Sequence, residues 1–232
     1  MCGRYRLKDP ERAFAWLEVV PMAQFFPRFN IAPTQRVPVV TATGHIDPMT
    51  WGIVPAWADE KSRPLINARC ETVREKRSFK AAFAQRRCLL PADGFYEWRR
   101  IDKRPHFIAL GDGGPFAIAA VWEPSKDTSR CCLLTTSANA VLAPIHDRMP
   151  VIVRREDWDE WLSPHELAEP SFGRIMTPYA PEEMAAVSVS PLVNSARVDD
   201  PRCSEPSGAD ELPPRLKITR NPAADAQQTF GF

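Results

Sequence analysis

No run of about 18 consecutive apolar residues occurs in this 232-residue chain, so no segment reads as a membrane-spanning helix. The opening residues lack the basic-then-apolar order of a secretory signal, because Arg4, Arg6, Lys8 and Asp9 interrupt it. The expected location is therefore cytoplasmic, where thiols stay reduced. Six cysteines (Cys2, Cys70, Cys88, Cys131, Cys132, Cys203) lack paired metal-ligand spacing and the four histidines are scattered, so no metal or other cofactor is expected. Internal repeats are missing. Missing too are the Gly-x-Ser-x-Gly elbow, the Walker A loop, the dinucleotide glycine fingerprint and the His-Glu-x-x-His zinc helix. The commonest hydrolase, nucleotide-binding and zinc-peptidase classes lose their signatures with them.

What is present is ordinary in bulk, with 44% hydrophobic and 25% charged residues, enough for one substantial core. The net charge of +1 hides a polarity. Residues 61–104 carry 13 Lys/Arg against 5 Asp/Glu, and residues 155–232 carry 7 against 14. A basic middle containing aromatic residues suits a phosphate-binding face; a solvated helix face reads equally well.

Asp9-Pro10-Glu11 predicts a helix start, with Phe14, Leu17 and Val20 on its apolar side and Pro21 at its end. Strands are expected at Val37–Val40 and Met49–Val54 around Thr43-Gly44. Ser78 reads as an N-cap, with Phe79 and Phe83 on a short helix. From Cys88 onward, apolar runs separated by turn formers predict an antiparallel meander or curved barrel. Ser163-Pro164-His165-Glu166 resembles a capping box opening another helix. After Ser204 prolines are frequent and apolar periodicity stops, which predicts a mobile tail over 204–232 behind one α+β domain over 1–203.

Removal of Met1 would leave Cys2 as the N-terminus, with an α-amine and a thiol on adjacent carbons. Such an aminothiol captures aldehydes: the amine forms a Schiff base, and the sulfur closes a five-membered thiazolidine on the same carbon. Both groups titrate within reach of neutrality, at about 8 and about 8.5. Cys2 also reads simply as a tolerated small second residue.

Three further stretches carry chemistry. Asn67 lies in Asn67-Ala68-Arg69-Cys70-Glu71-Thr72, where its carboxamide could orient an amine or hold a carbonyl, or make an Asx turn. Glu97 sits among Phe95, Tyr96 and Trp98. Desolvated there, its carboxyl would hold a proton near neutral pH; alternation equally allows it to face water. In Ile145-His146-Asp147-Arg148-Met149-Pro150, an extended segment would place His146 and Arg148 on one face, an imidazole beside a phosphate-binding fork. A lone loop histidine also has structural uses.

Taken together, these stretches resemble the SRAP family, the SOS-response-associated peptidases or abasic-site-processing proteins. The likeness runs from Met1-Cys2-Gly3-Arg4 through Asn30-Ile31-Ala32-Pro33-Thr34-Gln35 and Trp51-Gly52-Ile53-Val54-Pro55-Ala56-Trp57 to the three segments above and Arg87–Trp98, with a weaker segment from Val187-Ser188 to Val193-Asn194. It implies an α+β fold, curved antiparallel sheets forming a barrel-like core with flanking short helices. The implied activity is covalent capture of abasic sites in single-stranded DNA through a thiazolidine at Cys2. The implied catalytic set is Cys2 as nucleophile, Asn67 to position it, Glu97 as proton shuttle and His146 as acid/base near the sugar. Arg4, Trp51, Arg69, Arg77, Thr135 and Arg148 match positions that the family uses near DNA. A monomer is expected, in the cytoplasm and on the nucleoid when DNA-bound. Cys70 departs from the serine or alanine usual in the family motif. Two other classes stay open: an N-terminal cysteine peptidase or amidohydrolase, and a non-catalytic binder of damaged DNA.

Overall fold

The computed structural model describes residues 2–18, 20–21, 24–59 and 62–207. In chain order the first half contains β1 (Arg4–Leu7), α1 (Pro10–Leu17), β2 (Val20–Pro21), β3 (Arg28–Ile31), β4 (Arg36–Val40), β5 (His45–Trp51), β6 (Asn67–Arg69), α2 (Lys80–Gln85), β7 (Arg87–Ala92) and β8 (Gly94–Trp98). The second half contains β9 (Pro105–Leu110), β10 (Phe116–Glu123), β11 (Arg130–Ser137), β12 (Arg148–Pro150), β13 (Ile152–Val153), α3 (Trp158–Leu162), α4 (Glu169–Met176) and β14 (Met184–Ser188). Strands dominate and the helices are short, which makes the fold α+β.

Two sheets organise it. The smaller is antiparallel throughout, in the order β14-β9-β8-β1-β3. In the larger, β11, β10, β7, β4 and β5 are joined in turn, and β5 pairs back onto β11 through Arg130↔Thr50 and Cys131↔Trp51. Those five strands form a closed ring, which removes their free edges. The larger sheet is mixed rather than purely antiparallel: β5 and β6 both run parallel to β11, and β2 parallel to β5. Parallel pairing needs a long crossover, and the 61-residue separation of Arg69, at the end of β6, from Arg130, at the start of β11, supplies one that no local turn signal marks.

Alternation along β8 explains why both sheets are covered. Phe95 points into the main core with Ile108, Leu89 and Phe116, whereas Tyr96 joins a second cluster with Phe107, Val189, Val193 and Cys203. Gly94 is required where it stands, because any Cβ would lie about 2.0 Å from the Phe107 ring. The second cluster places Cys203 in the fold. Packing continues past it, since Ser207 N–H donates to the Ser188 carbonyl and Pro206 bridges Val189. The remainder of the expected tail, 208–232, lies outside the described residues.

Local expectations fare unevenly. Asp9 caps α1 by accepting from Arg12 N–H, worth about 1 kcal/mol. That helix stops at Leu17 because Glu18 takes a left-handed conformation at φ 56°, and Val20 belongs to a strand instead. Ser78 is not the cap of α2; Phe79 holds that place without a side-chain bond, and Phe79 and Phe83 are both buried. No helix opens at Ser163. It ends α3, and the next helix starts at Glu169. The reason is Arg87, buried on β7, whose guanidinium donates to the carbonyls of Phe83, Trp161, Ser163 and His165 and draws those segments together.

Candidate active site

Strand β1 lies between β3 and β8 in the smaller sheet, with Arg4 opposite Tyr96 and Tyr5 opposite Phe95. Continued by two residues, that register sets Gly3 opposite Glu97 and Cys2 opposite Trp98. Cys2 is fully buried, and its thiol donates to the Arg4 carbonyl at 3.8 Å. Burial pushes the thiol well above its ordinary pKa, and the neighbouring Glu97 charge adds to the rise.

Asn67 arrives from the other sheet. Strand β6 runs parallel to β11, with Asn67 against Leu133 and Arg69 against Thr135. The Asn67 Nδ2 donates to the Cys2 carbonyl at 2.8 Å, tying the start of the chain to the larger sheet. Its Oδ1 is buried and accepts no hydrogen bond among the described residues. An unmet buried acceptor costs about 1–3 kcal/mol, so this oxygen is set to receive a donor.

Glu97 is 2% exposed, and burial raises its pKa to about 7. The Asp147 charge contributes to that rise, which places the His146-Asp147 segment against the end of β8. A backbone bond from Arg100 N–H to the Ile145 carbonyl at 3.1 Å fixes the same apposition. Burial lowers the His146 pKa, so the ring is neutral near pH 7. Its Nδ1 lies 3.0 Å from both the Arg148 amide and an Asp147 carboxylate oxygen. The two contacts demand opposite tautomers. The lowered pKa favours a neutral ring accepting from the amide, with the proton on Nε2, and Asp147 keeps its own partner in Arg100 at 2.5 Å.

Other expected positions divide sharply. Trp51 is wholly buried, its indole N–H donating to the Ile66 carbonyl and its ring edge-on to Tyr5 at 5.6 Å. Both faces of the Trp51 ring therefore lie inside the core in this structure. Thr135 is also buried, donating to the Ala68 carbonyl. Arg148 does not present a free fork: it forms a two-point pair with Glu71 at 2.5 and 2.9 Å and donates to the Thr135 carbonyl. Arg4 is likewise engaged, with Asn30 Oδ1 at 3.0 Å and the Val193 carbonyl at 2.6 Å. Arg69 and Arg77 remain exposed, Arg69 on the same strand face as Asn67, and Arg77 with its guanidinium 5.2 Å from the Trp57 ring. Much of the basic middle is structural, since Arg74, Arg86, Arg87, Arg99 and Arg100 all have protein partners.

Sequence reasoning missed the residues that hold Arg4. Asn30, fully buried, donates to the carbonyls of Ser195 and Val198 while accepting from Arg4. Trp98 lies under the same guanidinium at 5.9 Å and donates to Asn194 Oδ1 at 2.7 Å. The only signal was their presence in the quoted motifs. Cys70 is buried on a 3-10 turn over Cys70–Thr72, where burial raises its pKa. Among the described residues, no three His, Cys, Asp or Glu side chains are grouped to hold a metal ion, and no helix is long and apolar enough to cross a membrane.

Comparison with known proteins agrees with this fold. The profile of the SOS response associated peptidase (SRAP) family matches residues 1–196. The abasic site processing protein YoqW of Bacillus subtilis is 36% identical over 222 residues, covering 88% of this chain and 99% of that one. The abasic site processing protein YedK of Escherichia coli is 32% identical, covering 70% and 79%. HMCES of Rattus norvegicus, an abasic site processing protein as well, is 28% identical, covering 89% and 76%. A crystal structure of a protein from Bacteroides thetaiotaomicron superposes with a TM-score of 0.77 at 22% identity, covering 89% of this chain and all of that one. With the family profile spanning most of its length and its strands arranged as in that structure, the chain belongs to the SRAP family.

Proposed function

We propose that this protein processes abasic sites in single-stranded DNA by capturing the ring-opened sugar aldehyde on Cys2 after Met1 is removed. The observation that carries the reading is a carboxyl with a pKa of about 7, Glu97, buried beside the Cys2 thiol. Names of the relatives supply the substrate class: three bacterial or mammalian relatives are called abasic site processing proteins.

The steps follow from the groups present. The free α-amine of Cys2 adds to the C1′ aldehyde carbon, giving a carbinolamine. Glu97, whose raised pKa of about 7 lets it hold a proton near neutrality, gives that proton to the departing hydroxyl, and one water leaves as the Schiff base forms. Sulfur then adds to the iminium carbon, its proton returning to the Glu97 carboxylate, while the ring nitrogen keeps its one remaining hydrogen. The thiazolidine retains every atom of both partners except that one water. Asn67 holds the Cys2 carbonyl, leaving its Oδ1 to accept from the new amine or from a sugar hydroxyl. His146, neutral and with a proton on Nε2, serves as acid/base toward the sugar. The Schiff base also acidifies the C2′ proton, so strand scission by β-elimination is a side reaction of the same site.

Residues 1–203 form the catalytic domain in this reading, acting as a cytoplasmic monomer without a cofactor, with Arg69 and Arg77 toward the phosphates. A cysteine peptidase at Cys2 would need a thiolate ready to attack first, which the burial that raises this thiol works against. In aldehyde capture the amine attacks first, and the thiol gives up its proton only to Glu97 as the ring closes. Intact-mass analysis after incubation with an abasic oligonucleotide tests the proposal. A protein gaining the oligonucleotide mass less one water supports it; salt-sensitive binding without covalent product, or an acyl-enzyme with a peptide, overturns it.

A further inference from the structure

The hairpin joining β8 to β9 begins one residue after Trp98 and carries four cations, Arg99, Arg100, Lys103 and Arg104, against one acid, Asp102. That acid is spent within the loop: it holds Arg99 at two points, accepts from the Arg104 backbone at 3.1 Å and lies 3.8 Å from the Arg104 guanidinium. The loop is closed by Arg99 N–H to the Arg104 carbonyl and Lys103 N–H to the Arg99 carbonyl, with Lys103 at φ 60°. On this fixed tip stands Ile101, 89% exposed, the most exposed large apolar side chain among the described residues. Arg100 anchors the tip to the segment bearing His146, through Asp147 and the Ile145 carbonyl.

An exposed isoleucine alone is unremarkable. An exposed apolar side chain two residues from an exposed lysine, on a hairpin closed by its own hydrogen bonds, is a combination that proteins use as a wedge against nucleic-acid bases, the cation taking a neighbouring phosphate. We propose that the Arg99–Arg104 tip is a second DNA contact, with Ile101 packed on a base and Lys103 on the adjoining phosphate, while Arg100 holds the tip in place through Asp147. Ile101 lies on the turn three residues past the end of β8 and four from Glu97, so it stands no more than about 13 Å from that residue even for a fully extended chain, a few nucleotides at most from a sugar held at Cys2. The placement rests on the DNA reading of the site, and it deepens that reading by making affinity depend on the length of strand flanking the lesion.

The test is binding of undamaged single-stranded oligonucleotides, about six and about twenty nucleotides long, to the full chain at several salt concentrations. Wild type should gain affinity with length. Ile101→Asp should lose about fivefold or more of its affinity for the longer strand, the scale of one lost base contact, and Lys103→Gln should flatten the salt slope by about 0.7. Melting curves that coincide with wild type keep a folding defect from mimicking the result. Both variants matching wild type on the longer strand at every salt concentration would overturn the inference. Failure of the covalent reading is separate: abasic DNA would then give no mass adduct, while the length dependence and its loss in Ile101→Asp would persist.

Discussion

Asn67 Nδ2 and the Cys2 carbonyl oxygen stand 2.8 Å apart although 65 residues separate them. That bond joins the antiparallel sheet carrying β1 to the mixed sheet carrying β6, so the aminothiol of Cys2 is positioned by a side chain outside its own sheet. Asn67→Ala should slow adduct formation about five- to tenfold, the scale of one lost hydrogen bond of about 1–1.5 kcal/mol. Single-turnover kinetics provide the readout. An Asn67→Ala rate equal to wild type would mean that β1 places Cys2 unaided.

Glu97 should control rate through its proton. Glu97→Gln keeps the shape and removes the shuttle, so single-turnover adduct formation is expected to fall roughly 10²–10⁴-fold. The wild-type rate should also vary with pH around 7, where the carboxyl titrates, and the variant should lose that inflection. A glutamine variant with the wild-type profile would return Glu97 to a purely structural role.

The same residue makes a stability prediction. Its folded pKa of about 7 lies above the ordinary 4.5, so the native state binds the extra proton between these values. Its contribution is fully present below pH 4.5 and is lost as pH rises through 7, by up to about 3 kcal/mol. Relative to wild type, Glu97→Gln should therefore become more stable as pH increases across that window. Parallel denaturation curves at pH 5 and pH 8 would contradict it.

Arg148 and Arg69 should separate structure from DNA contact. Arg148→Ala breaks the Glu71 pair and the bond to the Thr135 carbonyl, and should cost about 1–3 kcal/mol of stability. Arg69, exposed beside Asn67, should leave stability within about 0.5 kcal/mol when changed to alanine but reduce the salt dependence of DNA binding. Chemical denaturation and salt titration of both variants decide it; a reversed pattern would reassign the two arginines.

The contrast between those arginines also explains what the sequence could disclose. Locally coded features were legible: the Asp9 cap of α1, the Thr43-Gly44 turn between β4 and β5, and the apolar runs of β7 to β11 each depend on neighbours within a few residues. Features set by distant partners were not. Nothing near Arg148 announces Glu71, 77 residues away, and nothing near Ser163 announces the buried Arg87 guanidinium that accounts for the missing helix. Nothing beside Trp51 in the chain announces that its ring would be wholly buried. The candidate site was legible as a set of residue types because an aminothiol, a carboxyl among aromatics and a histidine each have recognisable chemistry. Their convergence required the crossover that brings β6 alongside β11.

Most direct is the intact mass of wild type and Cys2→Ser after incubation with an abasic single-stranded oligonucleotide, followed by heating in denaturant. The account predicts that wild type, lacking Met1, gains the oligonucleotide mass less one water and keeps it through heating. Cys2→Ser should bind the DNA yet lose any adduct, because an oxygen-closed ring reopens where a thiazolidine persists. A heat-stable adduct at wild-type yield from Cys2→Ser, or no adduct from wild type freed of Met1, would contradict the thiazolidine mechanism.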